Sequence, residues 1–299
     1  MDTREDPAPG GSLRIPERAA GRRLDDALSL LLPRAGRRSR QRLIQAGAVT
    51  VDGKRQPKGY RVAPGQELRV VELEDKDIQT LGDDWKRIAV VQETEAYAAV
   101  CKPGGMHTQL QAASSHTALE AALPRLFPGR DPVLVNRLDR DTSGLVLAAF
   151  SPEAAAAYAR MQEAGETAKT YLALVHGRVE TEICLGWALD SAKRKKVRIL
   201  THIDSDPLRW TTVRPLACSG QHQVSLVQAE ISKGRRHQIR AHAAAMGHPV
   251  VGDTLYGSDF QGPMYLHHWR VSFPGFEARA VPDWDTGGWG MDLSTYMHF

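Results

Sequence analysis

The sequence reads Asn136-Arg137-Leu138-Asp139-Arg140-Asp141-Thr142-Ser143-Gly144 between two short apolar runs. The runs, at 133–135 and 145–150, have the length and composition of buried strands. A polar loop between such strands is where a scaffold presents functional groups. Asp139 has Arg137 and Arg140 as near neighbours, and both favour the ionised carboxylate. Taken alone, an aspartate in a loop is more often a turn or capping residue, so the stretch by itself leaves both roles open.

Working outward, the segment from residue 87 to 299 reads as one large domain. Apolar, partly β-branched runs at 88–92 and 97–102 predict strands, and the Lys-Pro-Gly-Gly sequence at 102–105 predicts the turn that ends the second. Residues 117–126 favour a helix. We interpret the acidic, aperiodic segment 74–86 as a linker and the polar segment 1–12 as a disordered tail.

The segment between them, 13–73, is basic. It holds 14 Lys and Arg against 6 Asp and Glu and so carries +8, which leaves −4 for the rest of a chain whose net charge is +4. Such a block indicates either a polyanion-binding module or a solvated charged surface. Apolar residues at helical spacing from Leu24 to Leu31 predict one helix, and Ser39 is the expected N-cap of a second. Short strands are predicted at 48–51, 60–62 and 67–71, with a turn at Asp52-Gly53 after the first.

Residues 39–54, S-R-Q-R-L-I-Q-A-G-A-V-T-V-D-G-K, resemble the αL RNA-binding motif of the ribosomal protein S4 type. That family binds structured RNA through its helical face, so the resemblance implies that Arg38, Arg40 and Arg42 contact RNA. Arginines at the start of a helix can also meet phosphates beside the helix N–H groups.

The large domain resembles the RluA-type RNA pseudouridine synthases. The matching segments are R-L-D-R-D-T-S-G-L at 137–145, A-K-T-Y-L-A-L-V at 168–175, K-G-R-R-H-Q-I-R-A-H at 233–242, G-H-P-V-V-G-D-T-L-Y-G at 247–257 and L-H-H-W-R-V-S-F-P at 266–274. The resemblance runs from about Ile88 to Val281, nearly 200 residues, and the order of these segments makes it far more specific than any one motif. It departs from the family at Asn136, where many members have His, at Arg236, where Thr is usual, and at Trp210, where a small residue is common.

The resemblance implies three catalytic residues. Asp139 would be the nucleophile, Tyr171 would lie beside the target base, and Arg240 would pair with the aspartate, as a bidentate arginine can in a desolvated pocket. A helix from 236 to 246 would place His237 and Arg240 three residues apart and hence close together. The family's chemistry breaks the glycosidic bond of a uridine and rejoins the base through carbon. Attack by Asp139 on the ring and attack on the sugar both remain open.

Further RNA contacts are expected from the catalytic domain. Arg137, Arg140 and His237 would hold the site emptied by the extruded base or its phosphates. A structural hydrogen bond is the alternative for His237. Lys195, in a basic run within a predicted hairpin loop, would contact phosphate, although such runs are usually only solvated.

We therefore predict an α+β fold. The catalytic domain should have a central, mainly antiparallel mixed sheet with a cleft that holds Asp139, Tyr171 and Arg240, and a small α+β RNA-binding domain should precede it. The expected substrate is uridine in structured RNA, with large-subunit ribosomal RNA favoured and transfer RNA as the runner-up. The alternative is a non-catalytic RNA-binding or ribosome-assembly protein.

The remaining expectations are negative or coarse. We found no nucleotide-binding, zinc-protease or paired-cysteine motif, and the product is an isomer of the substrate, so neither a cofactor nor a metal is expected. No apolar stretch of 18 residues occurs, the start lacks the pattern of a signal peptide, and three scattered cysteines suit reduced thiols. These features favour a cytoplasmic protein without membrane contact. The sequence leaves the oligomeric state open, and we favour a monomer.

Overall fold

The computed structural model describes residues 11–32, 40–41, 43–44, 47–70, 85–109, 118–190, 192 and 195–296. These residues form two compact units, which meet in sequence between 82 and 83. Arg38 and Arg42 lie outside the described residues, as do most of the predicted tail and linker.

The N-terminal unit is a small sheet that packs against short helical turns. The sheet has the order β1-β4-β2-β3, and its strands are Ser12–Arg14, Val49–Val51, Lys54–Arg55 and Glu67–Val70, numbered β1 to β4 along the chain. Helix α1 spans Leu24–Ala27 and continues as a 3-10 turn, Leu28–Leu30. Leu24 and Leu28 are fully buried in the unit's core, as their spacing predicts.

Two predictions for this unit were wrong in detail, and a third is confirmed. Ser12, assigned to the tail, lies in β1, because its strand is stabilised by pairing with β4 about 55 residues later and not by a local pattern. Residues 60–62 form no named strand; Arg61 makes only an isolated bridge to Arg23. The Asp52-Gly53 turn is confirmed, and both residues have the positive φ that this tight hairpin turn requires.

The second unit is built on a large sheet. Its named strands are β5 (Ala89–Glu93), β6 (Tyr97–Lys102), β7 (Val133–Leu134), β8 (Ser143–Ala149), β9 (Ala168–His176), β10 (Ile183–Leu185), β11 (Trp187–Asp190), β12 (Arg198–Ile203), β13 (Thr211–Ser219), β14 (Val224–Ile231), β15 (Leu266–Phe273) and β16 (Phe276–Arg279). The order is β10-β13-β14-β9-β15-β8-β6-β5, while β7 pairs with β8, β16 pairs with β15, and β11 and β12 form a separate hairpin. Only the β8–β15 pair is parallel among the named strands. The predicted α+β class with a mainly antiparallel mixed sheet is confirmed.

Gly144 allows the parallel pair to form at the centre of this sheet. Its φ is +107°, and a Cβ atom there would lie 2.3 Å from the carbonyl oxygen of His268 on β15. Every other residue type would therefore push β8 away from β15 directly after the loop that carries Asp139.

Among the described residues of this unit, three α-helices accompany the sheet: α2 (Leu119–Leu126), α3 (Pro152–Glu163) and α4 (Gln238–Ala245). The predicted start of α4 at residue 236 was wrong. His237 precedes the helix in a left-handed conformation with φ 55°. A right-handed helix cannot include a residue in that conformation, so α4 begins only after His237. No helix in the described parts of the chain is long and apolar enough to span a membrane.

Candidate active site

The loop that carries Asp139 is held at both ends by buried polar contacts. At its start, Asn136 accepts a hydrogen bond from the Leu147 backbone on β8. In the middle, the Thr108 hydroxyl donates to the Leu138 carbonyl and accepts from the Leu138 N–H. These contacts fix Asp139 relative to the sheet. The Asn136 departure from the family pattern therefore has a structural role.

Lys102, at the end of β6, holds the far end of the loop. It is fully buried, and its Nζ donates to the carbonyls of Pro103, Met106 and Arg140 over 2.8–3.0 Å. Burial lowers the pKa of Lys102 to about 7, against the opposing influence of the Asp141 and Asp139 carboxylates. Its amine group thus joins the 103–106 turn to the loop that carries Asp139.

Asp139 meets Arg240, as the resemblance implies. Arg240 Nη1 donates to Asp139 Oδ2 over 2.9 Å, across 101 residues of sequence. The pairing is not the bidentate one that we predicted. Arg240 Nε and Nη2 are instead directed at Asp253, over 2.6 and 2.8 Å. Burial acts to lower the pKa of Arg240, but the hydrogen bond and charge of Asp253, followed by those of Asp139, raise it above its usual value.

The arginines next to Asp139 in sequence do not pair with it. Arg137 lines the same cavity with an exposed side chain, whereas Arg140 turns away and donates to the Gly105 carbonyl. Successive residues of an extended loop point in different directions, so proximity in sequence was a poor guide to the carboxylate's partner.

His237 lies on the other side of the carboxylate. Its Nε2 is 3.8 Å from Asp139 Oδ2, and its Nδ1 lies 3.1 Å from the Tyr256 hydroxyl. Burial lowers the pKa of His237 despite the adjacent carboxylate, so the ring is neutral near pH 7. Tyr256 also packs against Arg240, with the guanidinium carbon 5.3 Å from the ring centroid. Tyr256 thus supports both residues that approach Asp139.

Tyr171, on β9, lies in the same cavity. Its ring stacks on His268 of β15, with centroids 4.5 Å apart and an interplanar angle of 15°. Burial raises the pKa of the Tyr171 phenol, which keeps it protonated. One face of the ring is therefore covered by protein, and the part that lines the cavity can meet a planar base.

His268 should make the protein sensitive to acid. Its Nδ1 donates to the Leu145 carbonyl over 2.6 Å, and burial lowers its pKa to about 3 although that hydrogen bond acts in the opposite direction. Below pH 6.5 the unfolded chain binds a proton at this residue that the native state does not, so stability falls as the pH falls. Between pH 7 and pH 5 we expect His268 to account for a loss of about 2 kcal/mol.

Urea unfolding at the two pH values measures this effect. His268→Gln should lose about 2 kcal/mol less than the wild type between pH 7 and pH 5, whereas His202→Gln, at an exposed position on β12, should behave like the wild type. An equal loss in His268→Gln and the wild type would contradict the assignment.

The cavity brings the three predicted catalytic residues together. It has a volume of about 390 Å³ and is lined by Asp139, Tyr171 and Arg240, together with Arg137 and His237. Lys169 also lines it, and burial lowers the pKa of this lysine to about 8. The predicted cleft is therefore present, with Arg140 outside its lining.

Two of the residues predicted to contact RNA, Lys195 and Arg40, lie outside the cavity. Lys195 is exposed in the loop that joins β11 to β12, so the predicted hairpin is confirmed. Arg40 donates through Nε to the Asp25 carbonyl within the N-terminal unit, which gives this arginine a structural contact.

Two departures from the family pattern also lie in the second unit. Arg236 lines the cavity. Trp210 packs directly against Gly186, because a Cβ atom on that glycine would lie only 2.9 Å from the Trp210 ring.

Asp253 and Tyr256 are also parts of the site, although the sequence predicted no role for either. Both lie in the matched segment 247–257, and that match was the available signal. A local pattern does not reveal them, because their partners Arg240 and His237 belong to another segment.

Comparisons with known proteins show which families this chain resembles. A family model described as RNA pseudouridylate synthase matches residues 96–245, half of the chain, and an S4 domain model matches residues 22–68. A protein named "Ribosomal large subunit pseudouridine synthase D" from Nitrosomonas europaea is 28% identical over 276 residues, which cover 87% of this chain and 79% of that protein. An "Uncharacterized RNA pseudouridine synthase" from Chloroflexus aurantiacus is 32% identical, with coverage of 81% and 78%.

A solved structure shares the fold. It is titled "Human RNA Pseudouridylate Synthase Domain Containing 1", and the TM-score is 0.55 at 24% identity, with 68% of this chain and 86% of that chain covered. This match shows the shared fold, and the family-model match confirms the resemblance seen in the motifs. The chain belongs to the RNA pseudouridylate synthase family of isomerases, as an RluA-type member with an N-terminal S4 domain.

Proposed function

We propose that this protein converts specific uridines of large-subunit ribosomal RNA to pseudouridine, with Asp139 as the nucleophile. The observation that carries the proposal is the 2.9 Å contact between Arg240 and Asp139 in a cavity that Tyr171 also lines. A carboxylate held ionised by an arginine, next to an aromatic ring and largely out of solvent, suits covalent attack on a nucleoside.

The chemistry balances without an added reagent. Asp139 forms a bond to the nucleoside, at the uracil ring or at the sugar, and the bond between N1 and C1′ breaks. The uracil turns within the cavity, a bond forms between C5 and C1′, and the bond to Asp139 is released. The C5 proton is lost while N1 gains one, so the product is an isomer of the substrate.

The other cavity residues have supporting roles in this proposal. The uridine must leave its stack to reach Asp139, which costs a few kcal/mol. Tyr171 offsets part of this cost by stacking on the uracil, which base–aromatic contacts favour by about 1–3 kcal/mol. Arg137, exposed at the cavity, and the neutral His237 contact the displaced nucleotide or its neighbours.

Two observations favour ribosomal RNA as the target. The N-terminal S4 domain adds a second RNA-binding unit within a segment that carries +8, and relatives such as the Nitrosomonas europaea protein are named for the large ribosomal subunit. Arg38, Arg40, Arg42 and Lys195 are the cations that we assign to phosphate contacts.

Mapping pseudouridine in total RNA from cells with and without this protein tests the function and the target together. We expect one or a few large-subunit sites to disappear from the deletion strain and to return when the wild-type gene is restored. Loss of transfer RNA sites alone would overturn the choice of substrate. An unchanged map across all RNA would overturn the proposed function.

A further inference from the structure

Arg240 divides its guanidinium group between two carboxylates. Its Nε and Nη2 form a fork on the two oxygens of Asp253, at 2.6 Å to Oδ2 and 2.8 Å to Oδ1. Only Nη1 is directed at Asp139, and it contacts Oδ2. The strong bidentate arginine–carboxylate pair is therefore formed with Asp253, the aspartate that does not line the cavity.

Asp253 is well placed to hold the arginine rigidly. Its side chain is only 1% exposed, and it does not line the cavity. Its carbonyl accepts hydrogen bonds from the backbone N–H groups of Tyr256, Gly257 and Ser258, while its own N–H donates to Val250. These contacts fix both the backbone and the side chain of Asp253. Arg240 can therefore donate its Nε and Nη2 hydrogen bonds to Asp253 in only one orientation of the guanidinium group.

The division has a consequence for Asp139. Its Oδ2 receives the one hydrogen bond from Arg240, whereas Oδ1 makes no hydrogen bond with any described residue. If Arg240 turned its fork to Asp139, both oxygens would be occupied and their charge largely neutralised. The cluster of one arginine and two carboxylates carries a net charge of −1 in either arrangement, but with the fork on Asp253 more of that negative charge stays on Asp139, which faces the cavity.

We propose that Asp253 is the positioning residue of the active site, which holds the Arg240 fork so that one oxygen of Asp139 stays free for attack. The proposal rests on the proposed function of Asp139 and adds to it. Asp253 does not touch the substrate and acts only through Arg240. A purely stabilising role is the alternative, although buried ion pairs are in general weak contributors to stability.

The test is Asp253→Asn, assayed for pseudouridine formation on total RNA from a strain that lacks the protein. Asparagine keeps the shape but loses the charge and one acceptor, so the fork is released and Arg240 can shift toward Asp139. We expect kcat to fall about 10²-fold, as small misplacements in active sites can cause, while KM changes less than about 3-fold. Asp259→Asn, the same change at an exposed position six residues away, should leave both constants unchanged.

A second arm tests whether Asp253 acts through Arg240. If it does, adding Asp253→Asn to Arg240→Lys should lower kcat no further than Arg240→Lys alone. The proposal would be overturned if the double variant lost kcat by the product of the two single-variant losses. A wild-type kcat in folded Asp253→Asn would overturn it as well. A loss of activity that follows the folded fraction with kcat per folded molecule unchanged would also overturn it.

A third measurement uses the wild-type protein and does not depend on a variant folding. The Nε–H group of Arg240, identified by the signal that Arg240→Lys removes, should exchange with solvent at least about 10²-fold more slowly than that of an exposed arginine, because it is buried against Asp253. Free exchange would contradict the fork. Full activity of Asp139 variants would instead refute the proposed nucleophile, so the two failures can be told apart.

Discussion

Replacing Asp139 with asparagine is expected to abolish pseudouridine formation while RNA binding persists. The amide is not nucleophilic. Among the described residues that line the cavity, Asp139 is the only carboxylate, so no other group there can take its place. We expect kcat to fall by more than about 10³-fold, equivalent to at least about 4 kcal/mol of transition-state stabilisation. Rate measurements on total RNA from the deletion strain, with filter binding of the same RNA, check both parts.

The structure also explains why this variant should fold. Asp139 is partly exposed, and Arg240 keeps its two hydrogen bonds to Asp253 when the Asp139 charge is removed. Asp141→Asn is the matched control, because Asp141 belongs to the same loop but its side chain is 55% exposed. Comparable losses in the two variants would indicate a general effect on the loop, and an active Asp139→Asn would rule out Asp139 as the nucleophile.

Replacing Arg240 with methionine is expected to cause the largest loss of stability, together with the loss of activity. Methionine fills much of the same volume, but it leaves the Asp253 carboxylate buried without its counter-ion. Breaking a buried pair in this way costs about 3–5 kcal/mol. Urea unfolding at pH 7 measures the loss. Arg235→Met, which removes a half-buried arginine 3.9 Å from Asp204, should change stability by less than about 1 kcal/mol.

A double variant separates the two effects of Arg240. Adding Asp253→Asn to Arg240→Met removes the uncompensated charge, so at least about 2 kcal/mol of stability should return. Activity should not return, because Asp139 still lacks its arginine. If the double variant is no more stable than Arg240→Met, then the loss does not arise from the stranded Asp253 carboxylate.

The sequence predicted the strands of the catalytic unit well where their signal is local. The apolar run at 97–102 is strand β6 (Tyr97–Lys102), and the run after Gly144 belongs to β8. Such strands are apolar because both faces of a central sheet are buried, and that requirement is written in consecutive residues. The first strand, Ser12–Arg14, was missed because its only support is its pairing with Glu67–Val70.

The resemblance to a family supplied the members of the site but not its geometry. Asp139, Tyr171 and Arg240 meet in one cavity, as expected. The bidentate pairing of Arg240 with Asp139 was wrong, because Asp253 competes for the fork and is the more deeply buried partner. The left-handed conformation of His237 also has no local signal, since histidine rarely adopts it and only the surrounding packing can select it.

By itself, the sequence determined the chemistry that this protein can carry: an aspartate in a polar loop between buried strands, and a basic block ahead of it. The periodicity of apolar residues and the order of the motifs are properties of consecutive residues, so they can be read without coordinates. Only the tertiary structure decided how one arginine is divided between Asp139 and Asp253. Hydrogen-bond directions depend on the relative placement of segments far apart in the chain, and that placement results from the packing of the whole sheet.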